Sequence, residues 1–261
     1  MEERHKIDLN SDVGESFGAY RIGLDEEVIP LITSANIACG LHAGDPHIMR
    51  QTIALANISG TAIGAHPGLP DLMGFGRRYM DVTIEEIKDY FTYQIGSIQA
   101  FAVSQGKSLQ HVKAHGALYN MAVKDVKIWE AMAEAVSMID KKIILVVLAG
   151  LNRAELKEMG KRYGIRVAFE FFADREYNPD GSLVSRKEPG AVIKDHQKAA
   201  ERVKRMITEG KVSTKYGTEI ELVGDTVCVH GDNPAAVNLV KQIRKILSES
   251  KIDIVPMGEF L

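Results

Sequence analysis

Short apolar and β-prone segments alternate along the chain with longer helix-type stretches. We predict seven strands from these segments, at residues 6–9, 34–38, 61–65, 111–114, 143–148, 167–172 and 226–229. The helix-type stretches between most of them cover residues 46–57, 83–105, 126–139, 153–163, 190–209 and 234–249. Because β and α units alternate, the pattern predicts an α/β protein with a parallel sheet and helices outside it.

Local signals refine this outline. Asp45 precedes Pro46, which suits a first helical position, and Thr83 opens Thr-Ile-Glu-Glu, which is close to a capping box. Residues 211–214 and 218–222 flank a Tyr-Gly pair and predict a β-hairpin inserted before the last strand. We see no linker-like segment, composition break or internal repeat, so we expect one domain over residues 1–261.

Four histidines follow strand-type segments that end in small residues: His42, His66, His115 and His230. This setting places each histidine at or just past the carboxyl end of a predicted strand, the edge where parallel α/β folds gather their sites. The four are far apart in sequence, and only a closed barrel would let all of them face one pocket. The pattern therefore favours a closed ring of strands over an open sheet.

Composition excludes some classes of function. The chain has 261 residues, of which 45% are hydrophobic, and this suits a barrel of about 250 residues. The net charge of -3 provides no basic field for nucleic acid. No apolar run reaches about 18 residues and the amino terminus lacks a signal-peptide pattern, so we expect a cytoplasmic protein without a membrane span. Cys39 and Cys228 are expected to be free thiols.

Carboxylate and amide side chains are concentrated just after the first strand, where Asp8, Asn10, Asp12 and Glu15 lie close together. Asp8 and Asn10 share one strand face because side chains alternate. Polar side chains are costly inside a barrel, so we predict a polar cluster at the pocket floor that binds a metal or acts as acid and base. A hydrogen-bonded turn is the structural alternative, since the same residue types form turns.

Later loops supply further candidates. Arg77 and Arg78 end a glycine-rich loop, and their planar guanidinium groups suit a carboxylate or phosphate. Lys113 shares a strand face with His115, and beside a histidine in a barrel mouth we expect its pKa to be lowered, as in a base or an electrostatic clamp. Arg175 follows the sixth strand.

A divalent metal in the barrel mouth is a further hypothesis, with Asp8, His42 and His66 as candidate ligands. No HExxH spacing supports it, and a single histidine is more often structural. Residues 106–108 (Gly-Lys-Ser) resemble the end of a phosphate-binding loop, but Phe101 stands where the first glycine belongs. The chain therefore shows no recognisable ATP cradle of its own.

Six segments, in order, resemble the LamB/YcsF family: IDLNSDVGESFG, SANIACGLHAGDP, GAHPGLPDLMGFGRR, VKAHGALYN, FADREYNPDGSLVSR and VHGDNP. The resemblance runs from Ile7 to about Pro234 and beyond. It implies a distorted seven-stranded (β/α) barrel of the glycoside hydrolase/deacetylase type. It also implies ATP-dependent opening of the lactam 5-oxoproline to L-glutamate, with ATP and Mg²⁺ used together with 5-oxoprolinase subunits B and C as partners.

Residue chemistry then suggests roles in this reaction. We predict a catalytic group made of Asp12, Glu15, His42, His66, Lys113 and His115. We predict a substrate-binding group made of Asn10, Asn36, Arg77, Arg78, Arg175 and His230. Two other functions remain open, a stand-alone metal-dependent amidase or deacetylase and a non-catalytic protein of the complex that only binds substrate. A homo-oligomer also remains open.

Overall fold

The computed structural model describes residues 4–150, 152–229 and 234–261. Its strands are β1 (Lys6–Val13), β2 (Ser34–Ala38), β3 (Ala62–His66), β4 (His111–Lys113), β5 (Ile144–Leu148), β6 (Val167–Phe172), β7 (Lys211–Ser213), β8 (Glu219–Glu221), β9 (Thr226–Cys228) and β10 (Asp253–Ile254). Its α-helices are α1 (Asp25–Val28), α2 (Pro46–Ser59), α3 (Ile84–Ser104), α4 (Gly116–Lys124), α5 (Val126–Ile139), α6 (Arg153–Tyr163), α7 (His196–Glu209) and α8 (Pro234–Glu249). Within these ranges no helix has the length and apolar character needed to cross a membrane.

Seven parallel strands close into a barrel. Each strand from β1 to β5 pairs in parallel with the next, β6 pairs with β9, and β9 pairs back to β1. At the closure, Asp8 lies opposite Thr226 and Asn10 lies opposite Cys228. The predicted closed ring of seven strands is therefore confirmed, and the short strand β10 adds to the first residues of β1.

Several element boundaries differ from the predicted ones. β1 continues past residue 9 to Val13, which pairs with Ile37 of β2. The helix α4 was not predicted, and α7 begins at His196 instead of residue 190 because the Asp195 carboxylate caps it at the Lys198 amide. The hairpin β7–β8 and the caps on α2 and α3 are confirmed.

Apolar side chains occupy two places. The larger core lies between the barrel and its helices and includes Phe91 of α3 and Trp129 of α5. A small cluster inside the ring consists of Ile144, Val146, Ala168 and Met257. Since Ile144 begins β5, this cluster closes the amino end of the barrel. The remaining interior, towards the carboxyl ends of the strands, is largely polar.

Candidate active site

The polar interior begins at Asp8, which is fully buried. Its carboxylate accepts hydrogen bonds from the hydroxyls of Thr33, Ser34 and Thr226 and from the backbone amide of Met257. Burial raises its pKa to about 6, although these hydrogen bonds oppose the change. The predicted grouping of Asp8 with His42 and His66 as metal ligands is not found, because Asp8 bonds to groups at the opposite, amino end of the barrel.

Asn10 and Asn36 form the layer of the barrel interior above Asp8, and both are fully buried. The Asn36 amide donates to Asn10 Oδ1 at 2.8 Å and to Asp12 Oδ1 at 2.9 Å. His111 Nε2 lies 2.8 Å from Asn36 Oδ1, and Asn10 donates to Thr226 Oγ1 at 2.7 Å. The two asparagines were predicted to bind substrate, but their hydrogen bonds are made inside the barrel, where they support Asp12 from below.

Lys113 is the cation at the centre of this interior. Its ammonium lies 3.0 Å from Asp12 Oδ1, 2.8 Å from Glu170 Oε1 and 3.1 Å from Cys228 Sγ. Burial favours a lower pKa, but the charges of Asp12 and Glu170 outweigh it and hold the pKa of Lys113 well above its ordinary value. The prediction of a lowered pKa was wrong. A raised pKa keeps the ammonium charged, which favours the electrostatic clamp over the base.

Three histidines converge above Lys113. His66 is the last residue of β3, His115 precedes α4, and His42 lies in the loop after β2. His66 Nδ1 bonds to the backbone carbonyl of Lys113 at 2.8 Å, while its Nε2 lies 2.9 Å from His115 Nδ1 and 3.3 Å from Asp12 Oδ2. The ring of His115 stacks on His42, with centroids 3.8 Å apart. Three of the four predicted strand-end histidines therefore meet; His230 lies outside the described residues.

Glu15 completes this group, with Oε1 3.7 Å from His42 Nε2 and 3.8 Å from His115 Nδ1. Burial holds the pKa values of His42 and His115 well below their ordinary range, and neighbouring histidines lower them further. Glu15, His42, His66 and His115 form a possible metal-binding cluster, in which the candidate ligand atoms lie within 4.8 Å of one another.

The glycine-rich loop over residues 67–78 covers the histidines. The Phe75 carbonyl accepts from His115 Nε2 at 2.8 Å, and the Phe75 ring meets both His42 and His115 edge-on. Arg78 binds the Asp71 carboxylate within the same loop and leaves most of its side chain in solvent. Arg78 was predicted to bind substrate, but the structure uses its guanidinium to hold the loop.

A cavity of about 930 Å³ opens at the carboxyl end of the barrel. Asp12, His66 and His115 form part of its wall, and its basic lining residues are Arg77, Lys113, Lys124, Arg175, Arg186 and Lys187. Arg77 and Arg175 were both predicted to bind substrate. Arg175 is buried, and burial together with the charge of Arg186 lowers its pKa to about 10. Its guanidinium donates a hydrogen bond to the Val184 carbonyl at 2.6 Å. The mixture of cationic side chains and a carboxylate–histidine group suits a small anionic substrate.

The site residues predicted from the sequence did not include four residues that shape the site. Glu170 carries a charge in the middle of an apolar strand, and His111 alternates with Lys113 and His115 on one strand face, so both left a signal in the sequence. Gly64 makes room for His111, since a Cβ there would lie 2.1 Å from its Nε2. Phe75 acts through its backbone carbonyl, for which no side-chain signal exists.

A closed parallel barrel with carboxylates, histidines and cationic side chains at the carboxyl ends of its strands defines a (β/α)-barrel enzyme with a hydrolase-type site. The chain belongs to the LamB/YcsF family, whose family model matches residues 7–261.

Two curated relatives and one crystal structure are similar over almost the whole chain. A protein of Thermococcus onnurineus, named as the A subunit of 5-oxoprolinase, is 56% identical, covering 98% of this chain and 99% of the relative. Its counterpart from Pyrococcus abyssi is 54% identical with the same coverage. The crystal structure of the lactam utilization protein from Thermus thermophilus is 42% identical, covers 96% of this chain and 99% of that chain, and superposes with a TM-score of 0.89.

Proposed function

We propose that this chain is the A subunit of an ATP-dependent 5-oxoprolinase, which hydrolyses the lactam 5-oxoproline to L-glutamate with subunits B and C as partners. The relatives that bear the 5-oxoprolinase name support the reaction class. The observation that carries the proposal is the cavity wall, where Asp12 and His66 line the same cavity as Arg77 and Arg175. A general base and cationic side chains in one cavity are what hydrolysis of an amide bearing a carboxylate requires.

The reaction needs ATP because an unactivated lactam is a poor electrophile. Transfer of the γ-phosphoryl group to the amide oxygen releases ADP and gives an imidate-like carbon with a phosphate leaving group. Water attacks this carbon, the C–N bond breaks to open the ring as an acyl phosphate, and a second water displaces phosphate to give L-glutamate. Since the sequence has no phosphate-binding loop of its own, we assign ATP with its Mg²⁺ to the assembly with the partner proteins and the hydrolytic half of the reaction to this cavity.

Asp12 is the best-placed base. Its Oδ1 accepts from Lys113 and Asn36, which holds the carboxylate in one orientation, and its Oδ2 faces His66 Nε2. The adjacent charge of Lys113 favours the carboxylate form, which is the form that accepts a proton. His66 and His115 polarise the reacting group or the attacking water, with Glu15 and His42 behind them. Arg77 and Arg175 hold the substrate carboxylate or the transferred phosphate.

The test is glutamate release and 5-oxoproline-dependent ATP hydrolysis by the purified chain, with and without subunits B and C. Activity that appears only in the mixture supports the proposal. Failure of every mixture to release glutamate from 5-oxoproline would contradict it.

Arg77→Ala and Arg78→Ala form a matched pair within this assay. Arg77 lines the cavity, whereas the Arg78 guanidinium is held by Asp71. Loss of a charge-assisted contact costs about 1.5–3 kcal/mol, so we expect Arg77→Ala to raise the KM for 5-oxoproline roughly 10- to 100-fold. Arg78→Ala should raise it much less. Equal effects would mean that Arg77 acts only through the loop.

The cluster of Glu15, His42, His66 and His115 favours one second candidate, an amidase that acts alone with metal-activated water. This function predicts turnover of an amide without ATP and without partners. The same assay separates the two, because ATP-independent release by the chain alone would replace the first proposal with the second.

A further inference from the structure

The backbone hydrogen bonds of His66 and His115 determine which ring nitrogens carry protons. A carbonyl oxygen only accepts, so His66 Nδ1 must donate to the Lys113 carbonyl and His115 Nε2 must donate to the Phe75 carbonyl. In the neutral rings the remaining nitrogens, His66 Nε2 and His115 Nδ1, each present a lone pair. These two nitrogens lie 2.9 Å apart, and two lone pairs at that distance repel unless a positive centre lies beside both.

His42 provides a second, independent observation. Its side chain is fully buried, and neither ring nitrogen has a hydrogen-bond partner among the described residues. An imidazole without a partner in the interior carries a desolvation cost that native proteins rarely leave uncompensated. Glu15 Oε1 lies 3.7 Å from its Nε2, so this nitrogen is directed into the same space.

The distances suit a small coordinated ion better than direct contacts between the side chains. Three of the six separations between candidate ligand atoms, 2.9, 3.7 and 3.8 Å, bracket the separation of about 3.4 Å expected between ligands of a tetrahedral ion with bonds of about 2.1 Å, and all six lie within 4.8 Å. Three imidazole nitrogens and one carboxylate oxygen are the donors preferred by zinc and neighbouring transition metals, whereas Mg²⁺ and Ca²⁺ prefer oxygen alone.

We propose that Glu15, His42, His66 and His115 bind one divalent transition-metal ion of the zinc class. The backbone carbonyls of Lys113 and Phe75 orient two of the imidazoles by accepting their second N–H. His66 and His115 also line the cavity, so the ion lies at its wall and is reached from it. The inference concerns metal binding alone and does not depend on which lactam the protein hydrolyses.

The experiment is metal binding by the full-length chain. After dialysis against a chelator, Zn²⁺ is titrated calorimetrically, and Co²⁺ is titrated by its visible absorption, which reports the coordination geometry. We expect one ion per chain. Because even a supporting residue is worth about 10- to 100-fold in metal affinity, loss of the His42 ligand in His42→Ala should weaken binding by about 100-fold or more.

Two further variants keep the test decisive. Glu15→Gln is nearly isosteric and removes the carboxylate charge, so it serves if His42→Ala does not fold, and it should also weaken binding. His47→Ala is the matched control, because His47 is an exposed histidine whose ring lies 3.4 Å from the Arg50 guanidinium and outside the cluster. Wild-type-like affinity in His47→Ala with loss in the other two supports the site. Failure of the wild type to bind either ion, or equal binding in all variants, would overturn it.

Discussion

The ammonium of Lys113 lies 2.8 Å from the carboxylate of Glu170, and both side chains are buried in the interior of the barrel. Glu170 also accepts a hydrogen bond from the Tyr119 hydroxyl at 3.1 Å. The pair therefore gives Lys113 a second carboxylate partner besides Asp12. A buried ion pair of this kind fixes the position of its members more than it raises stability, because removing either partner leaves the other charge uncompensated.

The first prediction follows from this pair. Lys113→Met leaves the buried Glu170 carboxylate and the partly exposed Asp12 carboxylate without their cation, so we expect the free energy of unfolding to fall by about 3–5 kcal/mol in denaturant titrations. Adding Glu170→Gln removes one uncompensated charge and should recover part of the loss. Strict additivity of the two single substitutions in a double-mutant cycle would show that the pair is not coupled.

The second prediction concerns catalysis by His66. We expect His66→Ala to lower the rate of 5-oxoproline hydrolysis in the assembled enzyme by at least about 100-fold, because it removes the group that faces Asp12. Circular dichroism should show an unchanged fold, and the exposed His47→Ala serves as the control. A near-normal rate in a folded His66→Ala protein would exclude a catalytic role.

The third prediction is a pH dependence of stability caused by Asp8. Its pKa is about 6 in the folded protein against an ordinary value of 3.8, so the folded state binds more protons between these values. The stabilisation is complete below pH 3.8 and is lost as the pH rises through 6, a change of about 3 kcal/mol. Asp8→Asn cannot ionise. Between about pH 4 and about pH 7, the wild type should therefore lose unfolding free energy relative to the variant. A difference between the two proteins that does not change with pH would contradict the raised pKa.

The fourth prediction uses two glycines with similar backbone conformations. Gly60 and Gly76 have φ values of 71° and 60°, but of these two only Gly76 has other atoms where a Cβ would lie, at 2.7 Å from His42 Cβ and 2.9 Å from His115 Cδ2. Gly60→Ala should cost about 1–2 kcal/mol of stability from backbone strain and leave activity unchanged. Gly76→Ala should also displace the histidines and reduce kcat/KM by about 100-fold. Equal activities in the two variants would mean that the loop does not position the histidines.

Much of the architecture was predictable because its causes are local. Alternation along the first strand placed Asp8 and Asn10 on one face, and the cap signals at Asp45 and Thr83 marked helix starts that the structure confirms. The helix α4 was missed because its sequence follows a strand directly with no side-chain cap at His115.

The sequence by itself determined the order of the strands and the carboxyl-end positions of His42, His66 and His115, because these depend on short-range periodicity. Only the tertiary structure decided the position of each polar residue along the barrel axis. The strand register places Asn10 and Asn36 below the cavity and Asp8 at the opposite, amino end of the barrel. The tertiary structure likewise decided that Arg77 faces the cavity while Arg78 holds the loop. The raised pKa of Lys113 depends on Asp12 and Glu170, which closure of the barrel brings beside it from distant parts of the chain. Electrostatic energies depend on the distance between charges in space and not on their separation in sequence.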